Sequence, residues 1–232
     1  MAFVDDTSCE CVKSELEIFS VPPTQTSIEC GTIIEFNPIA SLSDGTPIEF
    51  STSGTGQDYI DLGNSQLYVK AQIVRADNTP IDNTDHVGPV NLLLHSLFSE
   101  VEIKLNDTVI SSTNNTYGYR SYLETLLTYG PDTKQSQLTS ALYYKDAKDR
   151  FEDGNPLDGA ANAGFKSRDA HFNDGRVVEM LGTIHSDLFF KTSFFLAMLM
   201  FAYVWCAIKI RSVSCPMLRT LATRLRLPNA NY

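Results

Sequence analysis

Leu67-Tyr68-Val69-Lys70-Ala71-Gln72-Ile73-Val74-Arg75 sets the terms for the whole chain. Leu67, Val69, Ala71 and Ile73 fall on one side of an extended backbone, and Lys70 and Gln72 on the other. That two-residue rhythm belongs to a strand with one buried and one wet face. Glu100-Val101-Glu102-Ile103-Lys104-Leu105-Asn106 repeats it without a fault, and Asn106-Asp107 supplies a turn before Val109 and Ile110. Working outward, Ile28, Cys30, Thr32, Ile34 and Phe36 share one face of a longer strand. Leu16 with Ile18, and Ile48 with Phe50, mark shorter ones, and Val177 to Ile184 is the last segment with a strand pattern. Sheets built this way each need a cover on one side only, as in a sandwich.

Two helical segments interrupt the strands. Tyr119, Tyr122, Leu123, Leu126 and Leu127 follow helical spacing, and Gly130-Pro131 stops the helix. This stripe reads as core packing rather than as a partner-binding groove. A second helix starts at Asp132, with Gln135 three residues on as in a capping box, and runs to about Leu142. Residues 145–175 are rich in Asp, Gly and Asn without a sustained period, which predicts a long surface loop with a contact role. No internal repeat or low-complexity tract is visible.

The chain has 232 residues, enough for a real core. Its formal charge of −10 hides an asymmetry. Residues 191–232 hold Lys191, Lys209, Arg211, Arg219, Arg224 and Arg226 and no Asp or Glu, which leaves 12 basic against 28 acidic residues in 1–190, a net of −16. So acidic a body repels phosphate, and direct nucleic-acid binding is not expected. The start, MAFVDDTSCE, lacks the apolar run of a secretory signal. Cys9, Cys11, Cys30, Cys206 and Cys215 form neither a disulfide framework nor paired CxxC zinc ligands, so reduced thiols and intracellular synthesis are expected.

Tests for chemistry return little. Gly54-Thr55-Gly56 is a lone GxG, better read as a flexible turn than a phosphate cradle. Asp149 and Asp153 precede Gly154, but Phe151 and Ala160 stand where a calcium loop needs oxygen ligands. Cys9, Cys11 and Cys30 lack a nearby fourth zinc ligand. His86, His95, His171 and His185 are scattered, and His95, in the apolar run Leu92–Phe98, reads as a satisfied, partly buried histidine. No GxSxG elbow presents a serine, and the sequons at Asn106 and Asn114 matter only in a secreted chain. The sequence therefore nominates no catalytic, cofactor-binding or metal-ligating residue.

Residues 67–75, HSLFSEVEIKLND at 95–107 and YGYRSYLETLLTYG at 117–130 together resemble the major capsid protein of Polinton (Maverick) virus-like transposons and their adintovirus relatives. The resemblance covers roughly residues 45–190. It implies a double jelly roll, two fused sandwiches of about eight strands each, with homotrimers forming pseudo-hexagonal capsomers in an icosahedral shell. On that basis the expected fold is mainly β, a jelly-roll sandwich forming an incomplete first half of a double jelly roll, with a short helical insertion. Residues 1–25 would be an N-terminal arm, 26–190 a partial jelly-roll domain and 191–232 an aberrant tail.

Two readings fit that tail. Thr192–Ile208 lacks charge over 17 residues, has Tyr203 and Trp205 toward one end and is followed by Lys209 and Arg211, as a short membrane anchor would be. The favoured reading is translation out of frame. One added nucleotide before the Lys191 codon permits synonymous codons under which Lys191–Cys215 becomes QDKFLLSNVDVRIRLVRNKDSFCLM. That product contains an alternating strand, NVDVRIRLV, and resembles the family's continuation. If the strand pattern ends at Phe190, early strands lose their late neighbours, and the chain is expected to fold poorly alone or to aggregate, and not to build a capsomer.

The expectation is thus a structural protein, a truncated and endogenous copy of a capsid subunit. Its partners would be its own homotrimer and neighbouring subunits, its location the virion or otherwise the cell interior, and its contact surfaces the 145–175 loop and the helix pair 118–142. A tail-anchored membrane protein with an acidic β-sandwich interaction domain is the alternative. A carbohydrate-binding or hydrolytic jelly roll ranks last, because no matched pair of carboxylates stands out.

Overall fold

A computed structural model describes residues 24, 26, 30–39, 47–52, 59–75, 77, 79–82, 87–105, 108–148 and 162–190, omitting 76 and 78. It gives 58, 195–196, 204–210 and 218–231 as backbone. The strands expected at Leu16–Ile18 and at Ile28, the turn at 106–107, Cys9, Cys11, His86, the GxG at 54–56 and the acidic run at 149–154 lie outside the described residues.

Among the described residues, ten strands arrange in two antiparallel sheets: β1 (Cys30–Phe36), β2 (Ile48–Thr52), β3 (Asp58–Ile60), β4 (Gln66–Ile73), β5 (Phe98–Leu105), β6 (Thr108–Ser112), β7 (Val177–Thr183), β8 (Phe195–Leu196), β9 (Val204–Ile210) and β10 (Leu218–Asn231). One sheet runs β7-β4-β10-β3-β8, with β1 also on β10, and the other runs β2-β9-β5-β6. The last strand therefore lies beside the first, and late strands sit between early ones. The chain is mainly β, with the strand exchange of a jelly roll.

The alternation read from sequence is the alternation of burial. Leu67, Val69 and Ala71 are fully buried and Ile73 nearly so, while Tyr68, Lys70 and Gln72 are partly exposed. Lys70 stands directly opposite Glu179 on β7, Nζ 3.1 Å from Oε1, a wet pair that contributes little beside the buried face. In β5, Phe98, Val101 and Ile103 turn inward, and a register irregularity between Phe98 and Glu100 accommodates the uneven spacing. Ile48 and Phe50 of β2 complete the pattern. Each fully buried side chain of this size stabilises by about 1.5–3 kcal/mol, so these alternating strands hold the sandwich together.

Several expectations are corrected. β1 is a strand, but its residues from Cys30 to Glu35 are exposed on both faces, so its shared apolar face does not pack on the core. The strand pattern does not stop at Phe190. Val204–Ile210 pairs with both β2 and β5, and Leu218–Asn231 pairs with β1, β3 and β4. The run VWCAIKI was open to a membrane reading because periodicity cannot tell a short, mostly apolar strand from part of a span. Its backbone is extended, and among the described residues no helix is long and apolar enough to cross a membrane. The register of β10 sets Leu225, Thr223, Thr220 and Leu218 opposite Leu67, Val69, Ala71 and Ile73. The early strands expected to lack neighbours thus have them.

Helices α1 (Leu93–Ser96), α2 (Tyr117–Thr128), α3 (Pro131–Gln135) and α4 (Ala163–Phe172), with short 3-10 turns at 137–141 and 173–175, cap the sandwich. The second helix begins differently from the capping-box reading: Gly130 is its N-cap, Pro131 takes the first helical position, and no side chain caps it. The stretch 145–175 is not loop throughout, since α4 occupies 163–172. Its buried residues are Gly164, Arg168, Asp169 and Phe172, a mixture of small, charged and aromatic that leaves no hydrophobic period to read.

The face assignment is directly testable. Val69→Asp should abolish cooperative thermal unfolding by circular dichroism, whereas Lys70→Thr on the opposite face should shift stability by under about 1 kcal/mol.

Candidate functional site

α2 has the helix predicted by its stripe, but the stripe faces the other way. Tyr117, Ser121 and Thr125 form the buried face. Tyr119, Leu123, Leu126 and Leu127 are 65, 57, 38 and 85% exposed, and only Tyr122 of the predicted set packs against the core. The core-packing expectation is therefore overturned. Spacing defines a helix face without saying which way it turns, and here the inner face is made of a tyrosine and two small hydroxyl residues. Ser121 bonds its own helix, Oγ donating to Gly118 O at 3.0 Å, and so needs no partner from the core.

Two polar clusters hold the helical layer down. In the first, Arg168 is 3% exposed and reaches three acceptors: Asp146 Oδ1 at 2.8 Å, Pro89 O at 2.9 Å and Tyr144 O at 3.1 Å. Asn162 donates Nδ2–H to the same Asp146 oxygen at 2.7 Å, and its Oδ1 accepts from Ala147 N, Gly164 N and Phe165 N. It is thereby the N-cap of α4 and a clasp on the preceding segment. Gly164 is required by closeness: a Cβ there would lie 2.6 Å from Lys145 O, which is backbone and cannot yield. The cluster is structural, since each group is consumed in joining 89–91, 144–147 and 162–168.

The second cluster joins α1, α2 and the segment after β7. His95 Nδ1 lies 3.0 Å from Tyr117 Oη, and the same oxygen accepts the His185 N–H at 3.3 Å. The His95 and His185 rings meet at 4.6 Å, nearly perpendicular. His185 Nδ1 is 2.8 Å from Glu124 Oε2, while Arg120 donates to Glu124 Oε1 at 2.7 Å and to Asp187. Because Tyr117 Oη already accepts, its own hydrogen is available to Nδ1 of a neutral His95. Burial, then the neighbouring His185, pushes the His95 pKa well below the ordinary value. Burial also lowers that of His185, with Glu124 opposing and Arg120 adding to the fall. His95 is the satisfied buried histidine read from its apolar run; its partner His185 lies far along the chain, where no sequence signal connects them.

His171 sits apart, Nε2 2.8 Å from Tyr144 Oη. Cys30 is a free, exposed thiol. Among the described residues no group of three or more His, Cys, Asp and Glu is placed to hold a metal ion. The two surfaces nominated from sequence as contacts differ in kind. Helix α2 presents an apolar outer face, whereas the described part of 145–175 buries Asn162, Arg168 and Asp169 and exposes Lys145, Lys148, His171 and Asp174.

The comparisons with known proteins come from fold more than from sequence. No protein-family model matches the chain. An uncharacterized protein of Caenorhabditis elegans is 25% identical over 133 residues, covering 54% of this chain and 32% of that one. Among solved structures, the chain is similar to one in the cryo-electron microscopy structure of the Sputnik virophage, with TM-score 0.59, 8% identity, and coverage of 97% of this chain and 52% of that one. It is also similar to PBCV-1 VP54 as fitted into a reconstruction of the virophage Sputnik, with TM-score 0.54, 10% identity, and coverage of 92% and 45%. The chain thus spans about a third of the worm protein and about half of each viral chain. At such identities the likeness is one of fold: a jelly roll of the kind these viral chains have.

The buried histidines give this fold a signed pH dependence. An unfolded chain takes up protons on both below about pH 6.5, and the folded chain resists, so stability falls as pH drops through that value. The ceiling is about 1.4 kcal/mol per pH unit for each histidine. Melting temperature should fall between pH 7 and pH 5, and His95→Gln, which keeps a polar partner for Tyr117 but cannot titrate, should flatten the slope. Equal slopes in the two proteins would contradict the assignment.

Proposed function

We propose that this chain is a structural subunit of a viral-type capsid, with its work done through contacts with other subunits rather than through catalysis. The observation carrying this reading is the jelly-roll fold, which matches a chain of the Sputnik virophage structure along 97% of this chain and PBCV-1 VP54 along 92%. The match to about half of each viral chain fits one sandwich of a two-sandwich subunit. The resemblance of residues 67–75, 95–107 and 117–130 to Polinton and adintovirus capsid proteins supports a finer assignment: a homotrimeric, pseudo-hexagonal capsomer, in an endogenous copy of such an element. The acidic body supports a shell role without direct genome binding.

The proposal extends to residues 191–232 as a product of translation out of frame, supported by the loss of every acidic residue after Asp187. Strands 204–210 and 218–231 lie between early strands, so an out-of-frame segment would have to supply runs apolar or alternating enough to fill those places. Reading the encoding DNA in all frames after Phe190 tests this. An open frame with alternating strand sequence is expected, and early stop codons in both other frames would contradict it.

For the shell role, the full chain should be expressed and viewed by negative-stain electron microscopy. Trimeric capsomer-like particles or curved shell fragments are expected. A dispersed monomer across a range of salt and protein concentration would count against the reading.

A further inference from the structure

The outer face of α2 is inverted relative to an ordinary surface helix. Its core side is Tyr117, Ser121 and Thr125, and its outer side is Tyr119, Leu123, Leu126 and Leu127. The helix is also fixed in place. Arg120 bridges Glu124 and Asp187, Glu124 holds His185, and Lys134 Nζ bonds Leu126 O at 2.9 Å to tie the next helix to its end. An apolar stripe on a rigid, well-anchored helix is costly to leave in water and well suited to docking.

Charge and area select the occupant. The chain carries −10 overall, so two copies repel over most of their surfaces. Residues 117–142 are an exception: Arg120 and Lys134 balance Glu124 and Asp132, and the stripe itself has no charge. Copies can meet there at a lower electrostatic cost than over their acidic surfaces. The four side chains expose roughly 500 Å², against about 800 Å² per partner in a standard interface. They supply the apolar centre of such a contact and leave the rim to their neighbours.

We propose that the Tyr119–Leu127 stripe is the surface on which a second copy of this chain docks, helix against helix. The identity of that occupant rests on the shell-subunit reading. An apolar contact between like-charged bodies has a distinctive response to salt: screening the repulsion strengthens it, opposite to a contact made of ion pairs.

The test is sedimentation velocity on the full 232-residue chain across protein concentration, at low and at high salt. The expected result is reversible association in the micromolar range that tightens as salt is added. Leu127→Glu, at a position 85% exposed, should weaken association at least tenfold with an unchanged far-ultraviolet circular dichroism spectrum. Leu127→Ala should weaken it less, and it serves as the readout if the charged variant misfolds. A wild-type chain that stays monomeric, or oligomers indifferent to both substitutions, would overturn the proposal. The shell reading stands or falls separately. Particles that form without regard to Leu127 would sink the stripe alone, and stripe-dependent oligomers that never build particles would sink the shell alone.

Discussion

A sheet with one apolar face must be covered, and the rest of this structure follows from meeting that requirement twice. Leu67, Val69, Ala71 and Ile73 on β4, and Phe98, Val101 and Ile103 on β5, turn the same way along their strands and are buried. Neither sheet is finished by its early strands. β9 enters between β2 and β5, and β10 runs along β4, β3 and β1, so residues more than a hundred positions apart must meet before either sheet is whole. Such pairing is slow to form and depends on late segments of the chain.

The helical layer obeys a different logic. It adds apolar burial through Leu93 and Leu94 of α1, Tyr117 of α2, Leu142, and Phe172 of α4, and polar clasps fix its orientation. Arg168 with Asp146 and Asn162 fixes α4, and the linked set His95, Tyr117, His185, Glu124, Arg120 and Asp187 fixes α2. The Arg168–Asp146 pair is buried, and removing one partner would strand the other at a cost of about 3–5 kcal/mol; the more exposed Arg120–Asp187 pair contributes far less. Directional anchoring is what allows α2 to present leucines outward while its inner face carries hydroxyls. The sandwich gives stability; the clasps decide which surface the molecule shows.

What could be read in advance tracks these two logics. β4, β2 and most of β5 were legible because half-covered strands write their burial as alternation, whereas β7 buries Met180 alone and its pattern was less regular. Helix α2 was legible as a helix and illegible in its facing, because Tyr119, Leu123, Leu126 and Leu127 have the same spacing whether they point in or out. Helix α4 left no period, its buried positions being Gly164, Arg168, Asp169 and Phe172. The Asn162 cap was a signal present and unused. Val204–Ile210 misled because an apolar run serves a span or a flanked strand equally. In 218–231, Arg224-Leu225-Arg226-Leu227 did alternate, and its pairing with β4 and β1 gives that alternation its meaning. The His95–His185 contact had no local signature, since only the fold brings α1 against the end of β7.

Completion of early strands by late ones is tested most directly by hydrogen–deuterium exchange along β4. Amides of Leu67–Ile73 should be among the slowest to exchange in the full chain and should lose much of that protection in a chain ending at Phe190, where β10 is gone. Equal protection with and without residues 191–232 would show that the first sheet closes by itself, and the dependence of β4 on β10 would be disproved.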